Sequence, residues 1–412
     1  MLSRRWYVNL AAFLACLSGE TFLAHLFFPG YMLCPAAASF IILFLSRIWD
    51  LSRTSAKGNG ADPIRLPVRS GIRESRLEFY YYYSNFLVYG GAGSGKTKSI
   101  GKWLLSEYMR LGFAGFIYDF KDTDYTRTAY NLIKRHRYPH KFYYVSFDRP
   151  ERSYRFNPLK VVRDRTELIQ LMEDVLLALL PKKEQQNEWV AGGLGILRGV
   201  AFRFWDEFPE HCTLPHILAF IMTASARQLS LFLQQNLVSE MLAGAYLKAE
   251  GSEKTQASYL STLCNNLATV SQNEEIAYVL SGDDFDFNLI DPENPKLFAV
   301  SNNFSKNSVY APVISMLMTI SARQFSMQNR VPFVYFLDEM TTVNIKNFET
   351  LPSVLREYKA AFILLTQSGS KVENQYGRLD RSSVEANFGN QFFGRTKDVE
   401  SLKYYPMIFG KV

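Results

Sequence analysis

Apolar residues along this chain follow two rhythms. Short, nearly continuous apolar runs occur at 85–89, 113–118, 141–147, 296–300, 331–337, 360–365 and 391–393. Runs of this kind predict strands buried on both faces, as in a parallel sheet. A helix-length segment at 98–110 separates the first two. Strand, helix, strand spacing of this sort implies right-handed crossovers. From 167 to about 280 the rhythm changes. Leu168, Leu171, Leu176, Leu177 and Leu180 recur at helical spacing, and 185–204 and 213–249 are further helical candidates with no convincing strand between them. The sheet pattern resumes at 296, and a long helical segment at 309–327 precedes the next strand. The pattern therefore predicts an α/β domain in two parts, 63–165 and 291–412, with an all-helical insert over 166–290.

The first fifty residues obey neither rhythm. Residues 6–28 are largely apolar, with Glu20 and His25 as interruptions, and Pro29-Gly30 is a turn signal. Residues 31–49 carry Arg47 as their only charge, which is about the length a membrane span needs. Arg4 and Arg5 precede the first segment, and Arg47, Arg53 and Lys57 lie at or beyond the end of the second. This asymmetry predicts a transmembrane hairpin over 1–50 with both ends in the cytoplasm. A cleaved signal peptide is the rival reading, opposed by the second apolar stretch. A polar linker rich in Ser, Gly and Ala follows at 51–62.

Chemistry enters at the first buried strand. It runs into Gly90, Gly91, Ala92, Gly93, Ser94, Gly95, Lys96 and Thr97, a full G-x-x-x-x-G-K-T pattern, with Lys98 opening the helix behind it. Glycines let backbone N–H groups close around a phosphate, and the helix N-terminus adds partial positive charge. Lys96 is placed to reach the β- and γ-phosphates and Thr97 to take Mg²⁺. The strand at 331–337 ends in Asp338 and Glu339, where open α/β sheets bind ligands. Asp338 is the second candidate for Mg²⁺, and Glu339 the candidate base that polarises the attacking water. The expected cofactors are ATP and Mg²⁺.

Composition adds less. The 412 residues leave room for two or three domains, and the charge of +7 suits a polyanion or a membrane surface without proving either. Four cysteines and five histidines are scattered with no disulfide framework or zinc spacing. Trp189 and the run Tyr80 to Tyr83 could stack on bases, but packing is the commoner use of such residues.

In the order of its motifs the chain resembles the type IV secretion coupling proteins, the TraG-type conjugative DNA-transfer ATPases, and is similar to the forms found in Bacteroides-type mobile elements. The hairpin, the Gly-rich loop, Asp119 with Lys121, Asn157-Pro158-Leu159, the helical insert, Asp338-Glu339, Leu365-Thr366-Gln367-Ser368 and Asn387 with Phe393-Gly394 carry the resemblance. The interval between the membrane segments is shorter than is usual there, and the chain stops soon after Gly410.

The resemblance implies a RecA-like motor ATPase in the bacterial inner membrane, its bulk cytoplasmic, assembled as a hexamer. It implies that Gln367 senses the γ-phosphate or orients water, with a satisfied strand end as the bland alternative. It implies that Arg356 acts in trans as an arginine finger, against a solvated helix arginine; Arg395 is a weaker candidate. Implied partners are a relaxase complex, the secretion channel and DNA, contacted at its phosphates and so without sequence preference. A membrane ATPase that moves protein, and a nucleotide-gated docking scaffold, are the rival classes.

The hairpin makes one direct prediction. A topology reporter fused after Gly30 should read as periplasmic, and one fused after Ala56 as cytoplasmic. A cytoplasmic signal at Gly30 would remove the hairpin.

Overall fold

The computed structural model describes residues 62–70, 73–121, 123–180 and 187–410. The hairpin expected over 1–50 and nearly all of the linker at 51–62 lie outside them. Among the described residues no helix is long and apolar enough to cross a membrane. Residues Ile64–Val412 form one compact unit.

Two strands, β1 (Ile64–Ser70) and β2 (Arg73–Phe79), make an antiparallel hairpin. Seven more build a parallel sheet: β3 (Phe86–Tyr89), β4 (Ala114–Asp119), β5 (Lys141–Ser146), β6 (Lys296–Ser301), β7 (Phe333–Asp338), β8 (Ala360–Thr366) and β9 (Asn390–Phe393). Their order across the sheet is β5-β6-β4-β7-β8-β3-β9. This is the parallel α/β class expected from the continuous apolar runs.

Those runs are apolar at every position because each strand feeds two cores. Successive side chains point to opposite faces. Leu87, Tyr89, Phe116, Tyr118, Tyr335, Leu337, Phe362 and Leu364 face one core. Phe86, Val88, Ile117, Val334, Phe336, Ile363 and Leu365 face the other. The second core is closed by helices Lys102–Arg110 and Asp124–His136, through Leu104, Leu105, Tyr108, Tyr125 and Ala129. Tyr82 and Tyr83 pack edge-on and tilted against Phe113 at its margin, so the tyrosine run supplies core contacts, while Tyr81 points out.

The first core is shared between the sheet, helix Asn307–Arg323 and the helical segment. That segment comprises the helices Arg165–Leu179, Glu188–Glu207, Leu214–Thr223, Ala226–Gln234, Leu237–Leu242, Gly244–Lys248, Glu253–Ser271 and Glu274–Leu280. The helix anticipated over 213–249 is therefore four short ones. Ser225 and Gln228 form a reciprocal capping box, and Asn236 accepts from the N–H groups of Val238 and Ser239, so each restarts a helix. Around the central helix Glu188–Glu207 the chain packs closely: a Cβ on Gly195 would stand 2.8 Å from the Leu242 carbonyl oxygen.

The segment is clamped to the sheet domain at one carboxylate. Asp174 is buried, and its two oxygens meet Arg323 Nη2 at 2.6 Å and Lys346 Nζ at 2.7 Å. Arg323 belongs to helix Asn307–Arg323, and Lys346 to the connection between β7 and β8.

Candidate functional site

Register decides what meets at the end of the sheet. Tyr89 of β3 lies level with Thr366 of β8, and Leu365 lies level with Asp338 of β7. The C-terminal ends of these three neighbouring strands are therefore flush. The residues that follow them, from Gly90, Gln367 and Glu339, emerge at one edge.

The Gly-rich loop turns back on itself because Gly93 and Gly95 adopt φ of +72° and +85°, which residues with a Cβ rarely reach. Its backbone is braced on both flanks. Gly90 N donates to Thr366 O (3.1 Å), Gly91 N donates to Arg395 O (3.0 Å), and Gly394 N donates to Tyr89 O (2.7 Å). Behind it a wide π-type turn, Thr97–Gly101, leads into helix Lys102–Arg110. Lys98 is exposed on that turn, as are Ala92, Gly93 and Gly95 on the loop.

Lys96 is buried. Its Nζ donates to Gly90 O at 3.0 Å and stands 2.9 Å from Glu339 Oε1. The same carboxylate oxygen accepts from Gln367 Nε2 at 3.3 Å and lies 3.5 Å from Lys121 Nζ. Thus Lys96, Glu339 and Gln367 converge, with Lys121 as a fourth member whose strand-end position in sequence gave no clear role. Asp119 points elsewhere: its Oδ2 accepts from both N and Oγ1 of Thr126, which fixes the start of helix Asp124–His136.

Asp338 is fully buried, and neither carboxylate oxygen has a hydrogen-bond partner among the described residues. Burial pushes its carboxyl up to about 7, assisted by the charges of Glu339 and Asp119 and opposed by Lys121 and Lys96. The hydroxyls of Ser94 and Thr366 are buried without partners as well. A buried acid with free lone pairs, beside a lysine and a left-handed glycine loop, fits a cation with its phosphates. Lys96, Thr97 and Asp338 are the residues whose chemistry suits that role.

Two arginines separate. Arg356 ends helix Leu351–Glu357, before β8 begins, so it stands at the opposite edge of the sheet from Gln367. A strand of seven residues spans about 20 Å. The chain does not bring Arg356 to its own Gly-rich loop. Arg395 does come close: its carbonyl holds Gly91, while its side chain is exposed.

Asp338 gives a stability prediction. An ordinary Asp titrates near 3.8, and this one is raised to about 7. The folded state therefore holds the proton more tightly than the unfolded chain. The stability this confers is full below pH 4 and is lost as pH rises toward 7. Asp338→Asn cannot ionise. In calorimetry without nucleotide or divalent cation, the variant should melt about 2–4 °C above the native chain at pH 8. The gap should narrow at pH 5.5. Equal melting at pH 8 would refute the buried, uncompensated charge.

Comparison with known proteins follows the same geometry. In structure the chain is similar to the bacterial conjugative coupling protein TrwBdeltaN70 in complex with sulphate, at 16% identity over 76% of this chain and 71% of that one (TM-score 0.60). It is similar to plasmid coupling protein TrwB in complex with ADP and Mg²⁺, at 16% identity over 82% and 80% (TM-score 0.60). VirB4 of Thermoanaerobacter pseudethanolicus is more distant, at 13% identity over 86% and 89% (TM-score 0.52). These likenesses are of fold. Comparison with curated protein sequences gives no match. In sequence, a family profile described as the type IV secretion-system coupling protein DNA-binding domain matches residues 77–412, from the end of β2 through the Gly-rich loop, the helical segment and the acidic strand. The chain belongs to the type IV secretion-system coupling protein family.

Proposed function

We propose that the protein is a membrane-anchored motor ATPase that drives DNA toward a type IV secretion channel during conjugative transfer. The observation that carries this reading is the meeting of Lys96, Glu339 and Gln367 beside the unpartnered Asp338, at the flush ends of three parallel strands. Family membership supplies DNA and the secretion apparatus as the partners, and three of the similar structures hold nucleotide: ADP with Mg²⁺, a non-hydrolysable ATP analogue and a non-hydrolysable GTP analogue.

The residues divide the work by charge. The backbone N–H groups of Ala92, Gly93, Gly95, Lys96 and Thr97 and the Lys96 ammonium would hold phosphates, with Gly90 and Gly91 bracing the loop, and Thr97 and Asp338 would hold Mg²⁺. A bound Mg·ATP supplies the phosphoanhydride bond whose hydrolysis drives the motor. In the structure Glu339 is engaged by Lys96. With its ammonium turned to a phosphate, Lys96 would leave the Glu339 carboxylate free to take a proton from water as that water's oxygen bonds to the γ-phosphorus and ADP departs. Gln367, already within reach of Glu339, orients that water through its amide.

The hydrolysis assignment predicts a split between two variants of the full chain. Lys96→Ala should lose nucleotide binding and turnover together. Glu339→Gln should bind ATP within a few-fold of native and turn it over at least about 100-fold more slowly. Native turnover should rise on adding DNA, and the rise should shrink with salt. Native-rate hydrolysis by Glu339→Gln would reject the base, and indifference to DNA would reject the DNA motor.

We further infer an N-terminal hairpin in the inner membrane, a relaxase complex as the source of DNA, and a hexameric ring. The Lys/Arg asymmetry over 1–57 supports the first, and the family resemblance supports the others. In such a ring Arg356 would work from a neighbouring subunit, since its own site lies across the sheet. Arg356→Ala should then bind ATP and hydrolyse it poorly. Mixed with Lys96→Ala subunits it should regain activity, because some interfaces pair an intact loop with an intact arginine. Confirmed mixed rings with no activity above either parent would remove the trans role.

A further inference from the structure

Glu339 holds an unusual backbone. It is a non-glycine residue at φ +48°, immediately after β7. For an L residue with a long side chain that conformation is unfavourable and persists only when the surroundings impose it. Its carbonyl is held by Thr342, within a closed set of hydrogen bonds that joins the ends of β4, β6 and β7.

The bonds run in one direction. Asn302 Nδ2 donates to the Tyr118 hydroxyl at 2.8 Å. Tyr118 and Thr342 Oγ1 are 2.6 Å apart, and Thr342 Oγ1 donates to the Glu339 carbonyl at 2.7 Å. Because Thr342 spends its proton on Glu339, the Tyr118 hydroxyl is the donor to Thr342. Thr342 N donates to the same carbonyl at 2.9 Å, closing the short turn Met340–Thr342. Asn302 is fixed in turn. Its backbone N donates to Asp119 O at 2.9 Å, its Oδ1 accepts from Asn303 N, and its second amide proton goes to Asn307 Oδ1 at 2.7 Å. Asn307 Nδ2 returns to Thr342 O at 3.3 Å, which completes the ring. Asn302, Tyr118 and Glu339 are all buried, so water competes poorly for these bonds and each donor polarises the next.

We propose that Asn302, Tyr118 and Thr342 are positioning residues that hold the Glu339 backbone in its left-handed turn, and with it the carboxylate in the site beside Lys96 and Gln367, and thereby set the rate of ATP hydrolysis rather than the affinity for ATP. The proposal rests on the reading of Glu339 as the base. Among the described residues none of the three hydrogen-bonds to the Gly-rich loop, and their hydrogen-bonded link to the site is the Glu339 carbonyl. Nucleotide binding, which draws on Lys96 and the loop backbone, is therefore spared when the ring is cut. Misplacement of the carboxylate instead costs turnover.

The test uses the full chain and substitutions that keep shape. Thr342→Val replaces one hydroxyl with a methyl, Tyr118→Phe removes one hydroxyl, and Thr342→Ser keeps the hydroxyl and drops a methyl. Turnover should fall about tenfold to a hundredfold in Thr342→Val and Tyr118→Phe. Affinity for a non-hydrolysable ATP analogue should stay within about twofold of native in both. Thr342→Ser should turn over like the native chain. Crystal structures should have Glu339 out of its left-handed conformation, or its carboxylate away from Lys96, in Thr342→Val, and in native position in Thr342→Ser. Native turnover in Thr342→Val and Tyr118→Phe overturns the proposal. So does equal damage from Ser and Val, or an equal loss of affinity and turnover. If the native chain hydrolyses no ATP, the base assignment fails separately, and the geometry of Glu339 in the variants still decides whether the ring positions it.

Discussion

The contact between Lys96 and Glu339 constrains everything around it. Both side chains are almost wholly withdrawn from water, at 6% and 2% exposure. Desolvating two opposite charges costs several kcal/mol for each ion, and attraction offsets this only with good geometry and further partners. The partners are present: Gly90 O for the ammonium, Gln367 Nε2 and Lys121 Nζ for the carboxylate. Geometry is the harder demand, since Lys96 follows β3 and Glu339 follows β7, with β8 between them. A one-residue slip of β8 against either neighbour would turn its side chains to the other face and separate the flush ends. The two apolar cores prevent that slip, because residues 360–365 of β8 alternate between one core and the other.

The same logic explains why the helical segment shares the first core. Helix Arg165–Leu179 packs on helix Asn307–Arg323 and adds Leu168, Leu171, Met172 and Leu176 to the core that β4, β7 and β8 face, and it is held by Asp174 on Arg323 and Lys346. Arg163 Nη2 adds a bond to Gln324 O at 2.8 Å, and Arg323 Nη1 reaches Glu167 O at 3.3 Å. Lys346 lies in the connection that leaves the acidic turn. A single buried carboxylate thus ties the helical segment to the residues just beyond Glu339, and removing one partner would leave buried charge uncompensated.

How much of this was legible in sequence follows from range. Buried parallel strands announce themselves locally, so the runs at 113–118, 331–337 and 360–365 are strands in the structure within a residue or two of their expected limits. The Gly-rich loop is equally local. The β1–β2 hairpin escaped because β2 is polar and mostly exposed, Leu77 included; Ile64, Leu66 and Val68 were the available alternation. Short helices hidden in 213–249 escaped because an apolar spacing continues across a cap, whereas Ser225 with Gln228 was a readable restart. Lys121 was noticed without a role, since the acid it meets lies on another strand. The Asn302–Tyr118–Thr342 ring had no sequence signal beyond a polar pair after an apolar run. Arg356 precedes β8 and Gln367 follows it, so the length of that strand separates the two within one subunit.

The two halves of the site are braced by different chemistry, and that difference governs what can move. The Gly-rich loop is held by backbone bonds to Thr366 and Arg395, and the strand before it by Tyr89 O to Gly394. Glu385 reinforces that strand from behind, accepting from the Tyr89 and Tyr404 hydroxyls and from Arg381 Nε. Each neutral bond of this kind contributes only about 1 kcal/mol, but three neighbouring segments must part together to release the loop. Glu339 is braced instead by side-chain hydroxyls and amides on an unfavourable backbone, and by an ion pair that phosphate oxygens can replace. Loss of the Lys96 contact would therefore loosen the acidic turn and leave the backbone bonds of the loop in place. That turn runs on to Lys346 and the Asp174 clamp, so the stretch of chain that presents Glu339 also joins the site to the helical segment.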